Sequence, residues 1–192
     1  MDIEAAIQDA IEVKKAILDN HHIIYTIEEV ALQASEILKN KGRILLCGNG
    51  GSAADAQHIA AELSGRFAFD RPPLDAEALH VNSSFVTAVA NDYSFDEVYA
   101  RMVKAKGRTG DMLVAISTSG NSQNIINAVQ AARSCEMIVV GFTGETGGVL
   151  KDLCDYLINV PSNKTPRIQE AHILLGHIFC EIIEKELFGE GF

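Results

Sequence analysis

No C-x-x-C pair occurs in this chain. Cys47, Cys135, Cys154 and Cys180 are scattered, which suggests neither a disulfide framework nor a thiolate metal site, and buried reduced thiols are the expected state. No apolar run approaches the ~20 residues that a membrane span needs, so no membrane association is expected. Basic residues are scarce: 16 Lys and Arg stand against 26 Asp and Glu, for a net charge of −10. Nucleic acid and anionic membranes repel such a chain, although a local basic patch remains compatible with a small anion. The start, MDIEAAIQDAIEVKK, has acidic residues where a secretory signal has a basic cluster followed by an apolar stretch. Export is therefore not expected, and a cytoplasmic location is. Linkers, internal repeats and low-complexity runs are absent too, so residues 1–192 read as a single domain with a substantial core, at an ordinary hydrophobic fraction of 47%.

What is present is periodicity. Over 3–18 and 23–38, apolar residues recur at helical spacing, which predicts two N-terminal helices. Apolar runs at 44–47, 78–81, 112–116, 138–142 and 156–160 then predict short buried strands, each followed by turn residues and usually by a helical pattern. That alternation implies an α/β fold with a parallel sheet covered by helices. The final segment, about 167–188, is apolar over much of its circumference, as a helix buried between the sheet and something else should be.

Two turns stand out. In ILLCGNGGSAADAQHIAAEL, residues 44–63, Gly48, Gly50 and Ala53 fit the G-x-G-x-x-G/A pattern, which suits a dinucleotide or any phosphate at a helix start. A dinucleotide also needs an acidic residue at a strand end about 20 positions on. Asp70 has the distance, but Pro72 and Pro73 place it in a loop. In LVAISTSGNSQNIINAV, four hydroxyls (Ser117, Thr118, Ser119 and Ser122) surround Gly120 between a strand and a helix. A single Ser or Thr there is usually an N-cap, but a cluster with free backbone N–H groups makes a cradle for a phosphate monoester. Ser52 has a similar setting in the first turn.

Polar residues accompany these turns. His58 and Glu62, four apart on one predicted helix face, could share a metal, although by spacing alone the plainer reading has His58 capping the core and Glu62 in solvent. Late in the chain, RIQEAHILLGHIF sets Gln169, Glu170, His172 and His177 among apolar residues, where polar groups need partners. His172 and His177 point in different directions. Gln169 and His177, eight apart, lie nearer to one face. Asn91 and Asp92 form a further polar pair at a predicted turn.

Taken together and in order, CGNGGS, H-x-x-x-E, NDY, STSGNS and RIQE-x-H with a later His resemble the sugar isomerase (SIS) family, and within it the members that isomerise heptose phosphates. The resemblance covers nearly the whole chain. It implies a five-stranded, doubly wound parallel sheet flanked by helices, a homotetramer in which helices 1–40 pack between subunits, and conversion of sedoheptulose 7-phosphate to D-glycero-D-manno-heptose 7-phosphate for nucleotide-heptose and cell-surface polysaccharide synthesis. It makes His58, Glu62, Gln169 and His177 ligands of one Zn²⁺ per subunit, with Glu62 and His177 also the acid/base pair; because Gln169 and His177 stand about 12 Å apart along a straight helix, either Gln169 precedes the helix or, as the implied tetramer favours, one of the two comes from a neighbouring chain. Ser52, Ser117, Thr118, Ser119 and Ser122 become phosphate contacts; Asn49, Gly50, Gly51, Arg66, Asn91 and Asp92 become contacts to the sugar or its phosphate, and Glu62 and Gln169 also face the substrate. Pro166 stands where some members carry an acidic residue, so any acid role there is absent. The alternative is a non-catalytic SIS tetramer that binds the replication initiator DnaA; the presence of both Glu62 and His177 favours the enzyme, because proton transfer cannot dispense with them.

Overall fold

Strands covered by helices on both faces should be apolar at every position, and in the computed structural model, which describes residues 2–189, the central ones are. β1 (Ile44–Gly48) and β3 (Met112–Ile116) are buried throughout. With β2 (Ala76–Ala78), β4 (Ile138–Thr143) and β5 (Tyr156–Asn159) they form one five-stranded sheet, all parallel, in the order β2-β1-β3-β4-β5. Met1 and the last three residues of the expected 1–192 unit lie outside the described residues.

Among the described residues, seven α-helices surround the sheet: α1 (Ile3–Leu18), α2 (His21–Lys39), α3 (Gly51–Ser64), α4 (Ser83–Asp92), α5 (Val98–Lys106), α6 (Gln123–Ser134) and α7 (Thr165–Phe188). Alternation along each strand splits the core into two layers. Ile44, Leu46, Met112, Val114 and Ile116 face α2, α3 and α7, whereas Leu45, Cys47, Leu113 and Ala115 face α5 and α6. The helices begin where polar caps allow: Asp2 accepts from the Glu4 and Ala5 amides, and Asn20 from those of His22 and Ile23. α1 stands apart from this core. Ile17 is its one buried residue, and Ile3 and Ile7 are 68% and 56% exposed. Ion pairing of Lys164 with Asp9 and a bond from Arg167 to the Ala6 carbonyl tie it to α7. No described helix is long and apolar enough to cross a membrane.

Some local expectations need correction. The second strand lies at Ala76–Ala78, not 78–81, because Asn82 caps α4 and turns the chain away, while Glu77 is accommodated on this edge strand by pairing with Lys106. Asn91 and Asp92 are the last residues of α4, not a turn. All four cysteines are free, but Cys135 and Cys154 are only half-buried.

The chain leaves β1 toward β2 on one side and passes from β3 to β4 and β5 on the other. Strand order therefore reverses between β1 and β3, whose C-terminal residues Gly48 and Ile116 are paired. Both motif turns start there, at the position where open α/β sheets bind ligands.

Candidate active site

Neither turn spends its side chains on capping. Gly50 precedes α3 and Ser122 precedes α6, and neither makes a side-chain cap bond; the Ser122 hydroxyl instead accepts from Ser117 Oγ at 3.2 Å. The Ser119 hydroxyl accepts from the Asn121 amide at 3.1 Å. At Gly120, φ is +67°, and an added Cβ would lie 2.1 Å from the Gly147 carbonyl oxygen, so only glycine closes this turn. Ser52 and Ser117 are buried, Thr118 and Ser122 half-buried, and Ser119 exposed. Thr118, Ser119 and Asn121 line a cavity that continues to Gly144 and Thr165.

A side-chain pair locks the two turns together. Asn49 and Asn124 exchange two amide bonds, each 2.8 Å long, across 75 residues of sequence. The resemblance makes Asn49 a substrate contact, and here its side-chain amide pairs with that of Asn124, a residue the sequence does not mark because an Asn inside a helix carries no motif. Behind β1, the Tyr99 hydroxyl donates to the Gly48 carbonyl, and burial pushes its pKa up.

The second feature lies along α3 and α7, which pack side by side in the same direction. At Gly176 an added Cβ would come within 2.6 Å of Ile59 Cδ1, so the absence of a side chain lets the helices touch. That contact brings His177 to His58 and Glu62. His58 Nε2 lies 3.0 Å from Glu62 Oε1 and 3.2 Å from His177 Nε2. One ligand atom from each of the three falls within 4.8 Å of the others. The His58 and Glu62 side chains are 47% and 26% exposed, the reverse of the plainer sequence reading. Donors on a tetrahedral zinc with bonds of about 2.05 Å stand about 3.3 Å apart, so two imidazoles and a carboxylate at these separations fit a metal ion. Phe67, unmarked in the sequence, packs its ring against His177 with centroids 5.9 Å apart.

Gln169 meets the start of α3, not the end that bears Glu62. It lies inside α7, which starts at Thr165, so the irregular segment that could have bent it toward His177 does not exist. Its amide sits over Gly51, where an added Cβ would be 2.3 Å from Gln169 Nε2. Gly51 precedes His58 by seven residues, about 10 Å along α3. Arg66 is exposed just beyond α3. Asn91 and Asp92 are exposed as well, and Asn91 Nδ2 donates to Asp92 Oδ1 at 2.9 Å.

Buried titratable groups lie close by. Burial pulls His172 down to about 4, although its Nε2 lies 3.0 Å from the Thr143 carbonyl. Asp55 on α3 is raised by burial, partly offset by His58. Burial alone would raise Glu184 too, but the amides of Ala68 and Phe67 and the Arg71 guanidinium outweigh it and hold the carboxyl below its ordinary range.

The family model for the SIS domain matches residues 7–144. A phosphoheptose isomerase of Aneurinibacillus thermoaerophilus is 50% identical over 190 residues, covering 99% of this chain and 96% of the relative. Among solved structures, a phosphoheptose isomerase from Neisseria gonorrhoeae is 44% identical with a TM-score of 0.90, covering 95% of this chain and 97% of its own. Another, from Francisella tularensis, is 37% identical with a TM-score of 0.92, covering 95% and 96%.

Proposed function

This chain belongs to the SIS domain family, and from that premise we propose that it is a phosphoheptose isomerase, interconverting sedoheptulose 7-phosphate and D-glycero-D-manno-heptose 7-phosphate. The observation that carries the reading is the meeting of Glu62 and His177, from distant parts of the sequence, beside His58. Aldose–ketose isomerisation moves a proton between C1 and C2 through an enediolate, which requires a base, an acid and stabilisation of the developing oxyanion. The Glu62 carboxylate takes the proton from one carbon and returns it to the other, while the His177 imidazole carries the proton of the neighbouring oxygen. Ser52, Ser117, Thr118, Ser119 and Ser122 hold the phosphate at the two helix starts, remote from the reacting carbons. Gly50, Gly51 and Asn49 shape the first turn around it, and Arg66, Asn91 and Asp92 contribute sugar contacts.

His58, Glu62 and His177 are the proposed ligands of one Zn²⁺ per subunit. When bound, it supplies positive charge for the oxyanion. Gln169 completes the set from a neighbouring subunit, a reading supported by its contact with Gly51, seven residues and about 10 Å along α3 from His58. A homotetramer is further supported by the exposed isoleucines of α1 and by an apolar groove between α2 and α7, lined by Ile24, Leu32, Ile178 and Ile182. We place the enzyme in the cytoplasm, where heptose phosphates feed cell-surface polysaccharide synthesis. The DnaA-binding alternative has no support from the relatives, and the presence of both Glu62 and His177 favours the enzyme.

The test is incubation with sedoheptulose 7-phosphate, following the product by NMR. Formation of an aldoheptose 7-phosphate is expected. An unchanged ketose spectrum with folded, metal-supplied protein would refute the reading.

A further inference from the structure

Arg71 lies in the loop between α3 and β2, and Glu184 in the last turns of α7. Their side chains are 0% and 1% exposed. Arg71 Nε donates to Glu184 Oε1 at 2.9 Å. Its Nη2 donates to the Glu62 carbonyl at 2.8 Å, and its Nη1 to the carbonyls of Leu63 at 2.7 Å and Gly65 at 3.1 Å. A helix leaves its last carbonyls without internal partners, and a cation there also complements the helix dipole. Arg71 thus caps the end of α3 that bears Glu62. Across the pair, Glu184 accepts from the Phe67 amide at 3.1 Å and the Ala68 amide at 2.7 Å. Phe67 is the residue whose ring packs on His177. Glu184 follows His177 by seven residues, two turns along the same side of α7.

Both proton-transfer candidates therefore hang on one buried pair. Glu62 is held through its own carbonyl by Arg71, and His177 is held through the Phe67 ring, whose backbone is fixed by Glu184. Buried ion pairs contribute little net stability compared with apolar residues of the same volume. What this one supplies is geometry. A guanidinium spreads five N–H donors over a rigid plane and so reaches a carboxylate on one edge and helix carbonyls on the other; a lysine ammonium donates from a single point and cannot span both.

We propose that Arg71 and Glu184 are positioning residues that set the separation between Glu62 and His177 across α3 and α7. The inference rests on the isomerase reading for its kinetic arm only. Arg71→Lys, wild type and Val139→Ala are compared well below their melting temperatures. Val139 is buried in the opposite core layer and serves as a stability control. Turnover of sedoheptulose 7-phosphate and affinity for Co²⁺ alone, followed by visible absorption, are measured on each. The expected result for Arg71→Lys is a loss of about tenfold or more in kcat and about tenfold in Co²⁺ affinity, the scale seen when supports behind metal ligands are removed, with KM within about twofold. Val139→Ala should lose melting temperature but neither function. If Arg71→Lys keeps wild-type kcat and Co²⁺ affinity, or loses no more than Val139→Ala does, the proposal is overturned. Should Arg71→Lys not fold, Glu184→Gln, which keeps an acceptor for one of the two loop amides but not the charge, is judged by the same two measurements. An inactive wild type that binds Co²⁺ would defeat the isomerase reading while the Co²⁺ comparison still judges the pair; an inactive wild type that binds none would overturn both.

Discussion

His172 and His177 stand five residues apart on α7 and meet opposite surroundings. His172 faces the sheet, is fully buried beside Phe142, and has its Nε2 against the Thr143 carbonyl. Its other nitrogen finds no hydrogen-bond partner among the described residues. His177 faces α3, is half-buried, and brings its Nε2 to that of another imidazole. The same contrast separates Glu184, which has two amides and a guanidinium, from Glu62, whose neighbour is the exposed His58. On the inner side the chain supplies the partners of Glu184 and of one His172 nitrogen, and these groups fix the structure. On the outer side the complement is left open: two imidazole nitrogens in contact need a shared proton or a cation, and a ligand can provide what the chain does not.

The contrast breaks if the outer cluster proves structural. Glu62→Gln is nearly isosteric, so the expected outcome is a loss of at least ~100-fold in turnover with an almost unchanged melting temperature. Mixing sharpens this. Reassembled with Gln169→Ala protein, Glu62→Gln protein should regain activity, because some sites then draw both intact residues from different chains. Reassembled with His177→Gln protein it should not, because those two positions meet within one chain. With mixed oligomers demonstrated by native mass spectrometry, failure of the first mixture would reject the shared site.

The inner side predicts a pH dependence instead. His172 is held neutral in the fold, with a pKa pulled from 6.5 to about 4. The unfolded chain therefore takes up this proton first, and stability present above the unfolded value is lost as pH falls from 6.5 toward 4. Between pH 7 and pH 5 the loss should be about 2 kcal/mol, read as a falling denaturation midpoint. His172→Gln should flatten that slope; an equally steep slope in the variant would assign it to other groups.

A smaller effect is expected at the second turn. Ser119→Ala with Ser122→Ala should raise KM about tenfold with kcat little changed, as lost hydrogen bonds to a remote phosphate do. Steady-state kinetics decide it, and a fall confined to kcat would move these hydroxyls out of the phosphate cradle.

Local pattern determined a large part of this protein. Continuous apolar runs mark four strands within a residue or two, period-3.6 spacing marks the long helices, and glycines and hydroxyls mark the turns where strand meets helix. His58 and Glu62 could be paired from sequence because four helical residues bring side chains to one face. β2 was misplaced because an edge strand tolerates a charged residue, which hides the apolar signal that buried strands show. Tertiary structure alone decided the rest. That His177 and not His172 meets His58 depends on how α7 rotates against α3, which Gly176 and Ile59 set by contact. That Gln169 lies over Gly51, that Asn124 clasps Asn49, and that Arg71 reaches Glu184 across 113 residues are long-range pairings. No spacing rule encodes them, because each partner's local sequence is satisfied by many other packings and only the assembled sheet brings them within hydrogen-bond reach.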